Sequence, residues 1–357
     1  MNTVATTVVS LLRRADAADG DGKLVYRIQA AEVAEDLPSG PLKASAFIEL
    51  ILSATQAGRN SLAARSYRRL QAIAEDDRVP HRLRQVTARI SPLALEMFLL
   101  QPTADANVLA GAFEDAERLM ERAGLDRTLL WRPTAAWLDH QGRFEEAAVL
   151  YSRLRWEPPA HSLHCSSAGH MAWARHLARQ GRYRIARAVA REAGQLDTCS
   201  HDRGRCPAEA GGQFDVALLS GDLDDVVSVF SDVWGWSEPS DPWTAERVLI
   251  AAGITGHWAS GRQAALAVPA WLDQEEVEWT RSLIRALAHF QRAAERAGVT
   301  GVTGVDASVL RAAGAADAAE LDALVDAWDD ADAERFGFDL SRRTTDRLRR
   351  VLSGVGM

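Results

Sequence analysis

All three cysteines of this chain, Cys165, Cys199 and Cys206, lie within one short stretch, and five of the nine histidines, His161, His164, His170, His176 and His201, lie in or beside it. Thiolate sulfur and imidazole nitrogen are the ligands that tetrahedral zinc takes. Cys165, Cys199 and Cys206 with either His164 or His201 would complete such a set. The same residues have plainer readings. Cys199 and Cys206 are separated by six residues, which is not a zinc-knuckle spacing. They could instead form a disulfide, or all three could stay unliganded as small packed side chains. His176 sits beside Leu177 on a helical stripe, where it can simply pack. No general base accompanies the cluster, so a catalytic zinc is less well supported than a structural one. A second cluster follows at Trp234, Trp236 and Trp243. Indoles are favoured at binding hot spots, and they equally plug gaps between helices. Ten of the eleven tryptophans lie from Trp131 to Trp279, which puts any functional centre in the middle-to-late part of the chain.

The elements that must position these residues are set by a repeat. Gln141-Gly142-Arg143-Phe144 returns as Gln180-Gly181-Arg182-Tyr183, Ser220-Gly221-Asp222-Leu223 and Ser260-Gly261-Arg262-Gln263. The glycines are 39, 40 and 40 residues apart (181−142, 221−181, 261−221). Periods of roughly 20–50 residues mark stacked repeats. After Gly142, apolar or small residues fall at Phe144, Ala147, Ala148, Tyr151 and Leu154. After Gly221 the same offsets give Leu223, Val226, Val227, Phe230 and Val233. Steps of three and four put them on one helical face. Before each glycine a second stripe reads Ala135/Leu138, Ala174/Leu177, Phe214/Ala217 and Ile254/His257. The glycine between two stripes occupies the left-handed position that ends a helix. Each unit is therefore expected to be a helical hairpin. An earlier copy surrounds Gly58, and a hairpin over roughly 79–124 is expected to turn at Gln101-Pro102-Thr103, with Thr103 as N-cap. Pro269 is expected to interrupt the second helix of the Gly261 unit.

Residues 128–159 resemble the tetratricopeptide repeat family. Trp131, Gly142, Phe144, Ala147, Tyr151 and Pro159 stand where that family has its early tryptophan, turn glycine, aromatic, small residue, second aromatic and closing proline. The resemblance covers residues 40–270 more loosely, and the spacing of about 40 departs from the family's 34. It implies an all-α fold: a right-handed α-solenoid of about seven to eight hairpins. Residues 1–40 would be an N-terminal helical cap, 41–297 the repeats and 298–357 a C-terminal helical cap. It also implies a groove lined by the first helix of each hairpin, which binds another protein or a peptide segment. Arg132, Asp139, His140, Arg175, Arg179, Asp215, Glu246 and Arg247 fall between the apolar positions of those helices. The expected partner contacts are Arg132, His140, Arg175, Arg179 and Arg247, with Trp234, Trp236 and Trp243. An ordinary solvated helix face would show the same mixed charge.

The stretch Leu340–Leu352 is the one strongly basic segment. With Ser341, Arg343 and Thr344 it resembles the start of the recognition helix of LuxR-type regulators, with a leucine where that family usually has histidine. That resemblance implies a regulator or ligand sensor, with repeats as the sensing part and this helix as the output. A solvated terminal cap is the plainer reading. Net charge is −8, so the chain as a whole does not advertise nucleic-acid binding. No apolar run approaches the ~20 residues that span a bilayer. Met1-Asn2-Thr3-Val4 lacks the basic start of a signal peptide, and three cysteines fit a reducing cytoplasm. No phosphate-binding loop, dinucleotide turn, zinc-protease helix or nucleophile elbow is present. The expectation is a cytoplasmic binding scaffold with no cofactor; a zinc-binding protein or an enzyme centred on the Cys/His cluster is the alternative, and whether the chain is an enzyme stays open.

Overall fold

A stripe of apolar side chains repeating every three to four residues is buried best against another such stripe. The computed structural model follows that rule throughout. It describes residues 3–19, 21–57, 59–77, 79–156 except 101–105, 166–194, 207–236, 239, 242–272, 280–299, 307–312, 314–315 and 317–354. Among the described residues there are eighteen α-helices, one short 3-10 turn and no strand.

The described residues divide into two compact units at Thr134/Ala135. The first unit holds α1 (Thr3–Asp16), α2 (Asp21–Ala34), α3 (Pro41–Gln56), α4 (Asn60–Glu75), α5 (His81–Leu100), α6 (Ala106–Arg122) and the 3-10 turn Arg127–Leu130. The unit boundary falls inside α7 (Trp131–His140). The second unit holds α8 (Phe144–Trp156), α9 (Ser166–Arg179), α10 (Tyr183–Ala193), α11 (Pro207–Ser220), α12 (Leu223–Val233), α13 (Pro242–Thr255) and α14 (Trp258–Leu272). It continues with α15 (Thr280–Arg296), α16 (Ala307–Ala312), α17 (Ala318–Phe336) and α18 (Leu340–Ser353).

In the first unit each helix packs on the next, and α3 also packs on α5. Tyr67 is fully buried and donates to the Ser91 hydroxyl at 2.5 Å. Burial pushes its phenol pKa upward. The expected turn at 101–103 and Gly58 lie outside the described residues; helices α5 and α6, and α3 and α4, flank them.

In the second unit α9 packs on α10 and α11, α11 on α12, α12 on α13, and α13 on α14 and α15. Their stripes meet in one core that includes Leu177, Phe214, Phe230, Leu249, Val268 and Phe290. The recurring glycines do what their spacing demands. Gly142, Gly181 and Gly221 have φ of 73°, 76° and 81°. Each closes its helix in the same way. The glycine N–H donates to the carbonyl three residues back, and the following N–H to the carbonyl five back: Arg143 to Leu138 at 2.9 Å, Arg182 to Leu177 at 2.9 Å, Asp222 to Ala217 at 3.0 Å. That is the left-handed cap that satisfies the last carbonyls of a helix.

The fourth turn is not where the period puts it. Helix α13 ends at Thr255, and Gly256, with φ of 78°, makes the turn. Gly261 lies inside α14. The true interval is 35 residues (256−221). Counted from Gly256, the preceding stripe is Leu249 and Ala252, both fully buried, and Trp258 takes the aromatic position of Phe144 and Tyr183. Gly261 then falls where Ala147, Ala186 and Val226 stand. Its missing side chain matters there, because a Cβ would meet Phe290 at 2.2 Å. Pro269 also departs from expectation: it lies within α14, which continues to Leu272.

The C-terminal helices are packed onto the repeats. Helix α17 packs on α15 and α18, and α18 packs on α11. Asp317 caps α17 by accepting from the amides of Ala319 and Glu320, and Gly337 ends it with φ of 69°. The corner that follows and α18 reach three of the recurring turns. Phe338 lies over Gly142, where a Cβ would come within 2.6 Å of its ring, and packs edge-on against Phe144 at 5.3 Å. Arg347 donates from Nε to the Leu219 carbonyl at 2.9 Å and covers the Tyr183 ring at 4.7 Å.

Candidate functional site

The first helices of the hairpins carry polar residues between their buried stripes, and neighbouring helices bring these residues into register. Asp139, at the end of α7, is fully buried. Its Oδ1 lies 2.6 Å from Nδ1 of His176 on α9, and Nε2 of that ring meets the Gln180 amide at 2.7 Å. The Gln180 Nε2 group can only donate, so the ring Nε2 accepts from it and Nδ1 carries the proton towards Asp139. Arg179 approaches the other Asp139 oxygen at 3.8 Å. Arg175 of α9 faces Asp215 of α11 at 3.7 Å, and Arg247 of α13 reaches the same carboxylate at 3.0 Å and Glu246 at 2.6 Å. Burial raises the Glu246 carboxyl above its ordinary range, against the pull of Arg247. An ionic ladder thus crosses α9, α11 and α13.

Arg247 is the most enclosed of these arginines, 4% exposed. Its guanidinium lies 4.9 Å from the Phe214 ring centre, 5.0 Å from Trp243 and 6.0 Å from Trp234. Trp234 and Trp243 meet edge-to-face at 5.5 Å, and Trp236 stacks on His257 at 4.0 Å. All three tryptophans are partly exposed. Gly211 makes room for Trp243, whose ring stands 2.4 Å from where a Cβ would be. The structure therefore joins Trp234 and Trp243 of the tryptophan run with Arg247 in one aromatic cage around a cation, and leaves Trp236 apart on His257. Of the remaining expected contacts, Arg132 lies in the first unit, paired with Glu96 at 3.0 Å. His140 packs on Phe336 at 4.8 Å. Burial, then the charge of Arg179, lowers its pKa to about 4, while Asp332 and Asp139 oppose the shift.

The expected metal ligands Cys165, Cys199, Cys206, His164 and His201 lie outside the described residues. Among the described residues no group of three or more His, Cys, Asp or Glu side chains could hold a metal ion. No described helix is long and apolar enough to cross a membrane.

A second charged surface went unread in the sequence. Helix α17 presents Asp322, Asp326, Asp329 and Asp332 at helical spacing. Asp329 faces Arg281 of α15 at 3.3 Å, and Arg281 also pairs with Asp332. Asp322 pairs with Arg292 of α15 and, at 3.1 Å, with Arg349 of α18; Asp326 meets Arg349 at 2.8 Å. Arg342 reaches Asp330 at 2.5 Å. The basic segment of α18 is thus engaged with the acidic stripe of α17, while its Leu348 and Leu352 are buried. The signal for this match was the spacing itself: arginines at 281, 285, 292 and 296 on one helix, aspartates at 322, 326 and 329 on another. No family model matches this chain, and neither does any curated protein.

Proposed function

We propose that this chain is a tetratricopeptide-like scaffold, a right-handed stack of hairpins whose first helices bind an acidic helical segment of another protein. The observation that carries the reading is the seat of α17: a helix whose buried face carries Asp322, Asp329 and Asp332 already lies on α15, held through Arg281 and Arg292. A surface complementary to one acidic helix has the charge pattern to take another of the same kind. On this reading α17 is an internal occupant, and a partner gains access by displacing it. Arg175, Arg179 and the Arg247 cage continue the receiving face.

The full-length protein carrying Asp322→Asn and Asp329→Asn tests this. These changes weaken the seat of α17 without altering the face beneath it. A labelled peptide with the sequence of residues 317–337 should then bind the variant more tightly than the unaltered chain, and less tightly as salt is raised. Absence of binding to either protein at low salt would remove the reading. A second reading, a regulator with α18 as output, draws on the Arg347 bond to the Leu219 carbonyl, which ties α18 to the repeats. In that case the same variant would retain DNA that the unaltered chain does not.

A further inference from the structure

The second helices of the repeats carry an outward pattern of their own. Helices α10 and α12 both pack on α11, and each follows the helix before it through the same glycine turn. They therefore run side by side and parallel, and Arg187 of α10 pairs with Asp222 at the start of α12. Positions counted from Gly181 on α10 and from Gly221 on α12 stand at similar heights. Three residues on are Arg184 and Asp224; seven on are Ala188 and Ser228; ten and eleven on are Arg191 and Asp232. All six are exposed. The outward face of α10 is thus basic near both ends, and that of α12 acidic near both ends, with a small residue midway on each. Glu192, beside Arg191, is engaged by Arg155 of α8. Arg184, Arg191 and Asp224 have no ion-pair partner among the described residues. The exposed large apolar side chains described in this unit lie on second helices too: Val149 and Trp156 on α8, Ile185 on α10 and Leu266 on α14. Val149, Ile185 and Leu266 are 52%, 45% and 50% exposed.

A basic helix beside an acidic one, with charges at matching heights, is complementary to a second copy of itself. We propose that this chain forms a two-fold dimer through the outward faces of α10 and α12. The axis that does this runs parallel to the two helices and midway between them. It lays α10 of one copy on α12 of the other, and the reverse, so every contact occurs in both directions. Arg184 then meets the partner's Asp224, and Arg191 meets the partner's Asp232. Ala188 and the partner's Ser228 lie between these pairs, where short side chains let the two helices approach. On the flanks α8 comes over the partner's α14, with Val149 towards Leu266, so apolar surface is covered as the charges pair. An axis perpendicular to the helices would instead set α10 on α10, arginine against arginine, which like-charge repulsion disfavours. The surface lies on the second helices and does not depend on the segment-binding face proposed for the first helices.

Sedimentation equilibrium of the full-length protein tests the proposal. The unaltered chain should dimerise at low salt, and less tightly as salt is raised. Arg184→Asp with Arg191→Asp should weaken self-association about tenfold or more, and so should Asp224→Arg with Asp232→Arg, because each pair of changes sets like charges opposite one another. An equimolar mixture of these two double variants should dimerise again, since every contact in the mixed pair regains opposite charges. A chain carrying all four changes should dimerise much as the unaltered chain does. The altered residues are exposed, so circular dichroism should show each variant folded, and the four-change chain provides the test if one double variant is not. The proposal is overturned if the unaltered chain stays monomeric up to about 100 μM at low salt, well above the range of specific protein interfaces. It is also overturned if the dimer survives both double variants, or if neither the mixture nor the four-change chain associates better than a double variant alone. A chain that stays monomeric yet retains nucleic acid through Arg184 and Arg191 would overturn it as well, and would give the basic face to that partner.

Discussion

Replacing Gly142 by alanine should cost clearly more than the same change at Gly181, although the two glycines make the same turn. Their φ angles are 73° and 76°, and their capping bonds match. A left-handed alanine costs about 1–2 kcal/mol at either site. At Gly181 nothing else is in the way, since no atom lies within 4 Å of the added Cβ. At Gly142 the Cβ would stand 2.6, 2.8 and 3.0 Å from three atoms of the Phe338 ring. That ring must move, and it would loosen its edge contact with Phe144 and its place under Arg343 at 4.6 Å. An aromatic pair is worth about 0.5–1.5 kcal/mol and an exposed cation–π contact about 0.5–1 kcal/mol. Gly142→Ala should therefore destabilise by about 1–2 kcal/mol more than Gly181→Ala. Urea unfolding followed by tryptophan fluorescence reads mainly the second unit, because ten of the eleven tryptophans follow Thr134. In a Phe338→Ala background the extra cost of Gly142→Ala should vanish, a coupling that a double-mutant cycle measures. Costs within about 0.5 kcal/mol of each other, the usual limit of additivity, or no coupling to Phe338, would refute the packing of the C-terminal corner on this turn.

Two further expectations concern the buried polar groups. Arg247→Ala leaves Glu246 without its ion-pair partner and Asp215 with Arg175 at 3.7 Å alone, and opens the aromatic cage; loss of one partner of a buried pair costs about 3–5 kcal/mol, and tryptophan emission should shift to the red. A loss below about 1 kcal/mol, the range of surface pairs, would show that the guanidinium is not enclosed. His289, lowered by burial to about 3, is neutral in both states above its unfolded value of about 6.5. As pH falls below that, the unfolded chain takes the proton first, so stability is lost down to about pH 3. By pH 5 the loss is about 2 kcal/mol, and His289→Gln should remove that part of the acid dependence of unfolding. An unchanged profile in this variant would contradict the burial of the ring.

The turns were legible because a left-handed glycine and its capping bonds involve residues no more than five apart. Gly142, Gly181 and Gly221 needed nothing else. Gly261 shows how that reading fails: it lies 40 residues from Gly221 and stands in a similar phrase, yet its role is to clear space for Phe290 of α15. Gly256 and Trp258 carried the right local signal, but the extrapolated period outweighed it. The ladder positions on the first helices could be named from helical spacing. Which of them pair, and that Arg247, Trp234 and Trp243 form one cage, depended on adjacent helices coming into register.

The all-helical class, the hairpin stripes and most turn positions were therefore determined by the sequence alone, since helical period and backbone stereochemistry act over a few residues. The seat of α17 and the cover of α18 over the Leu219 carbonyl were decided only by the tertiary structure. The bond from Arg347 to Leu219 joins residues 128 apart, and no short-range rule selects one basic stripe for one acidic stripe among the several this chain contains. That choice is made when apolar faces pack and carry their flanking charges to particular neighbours.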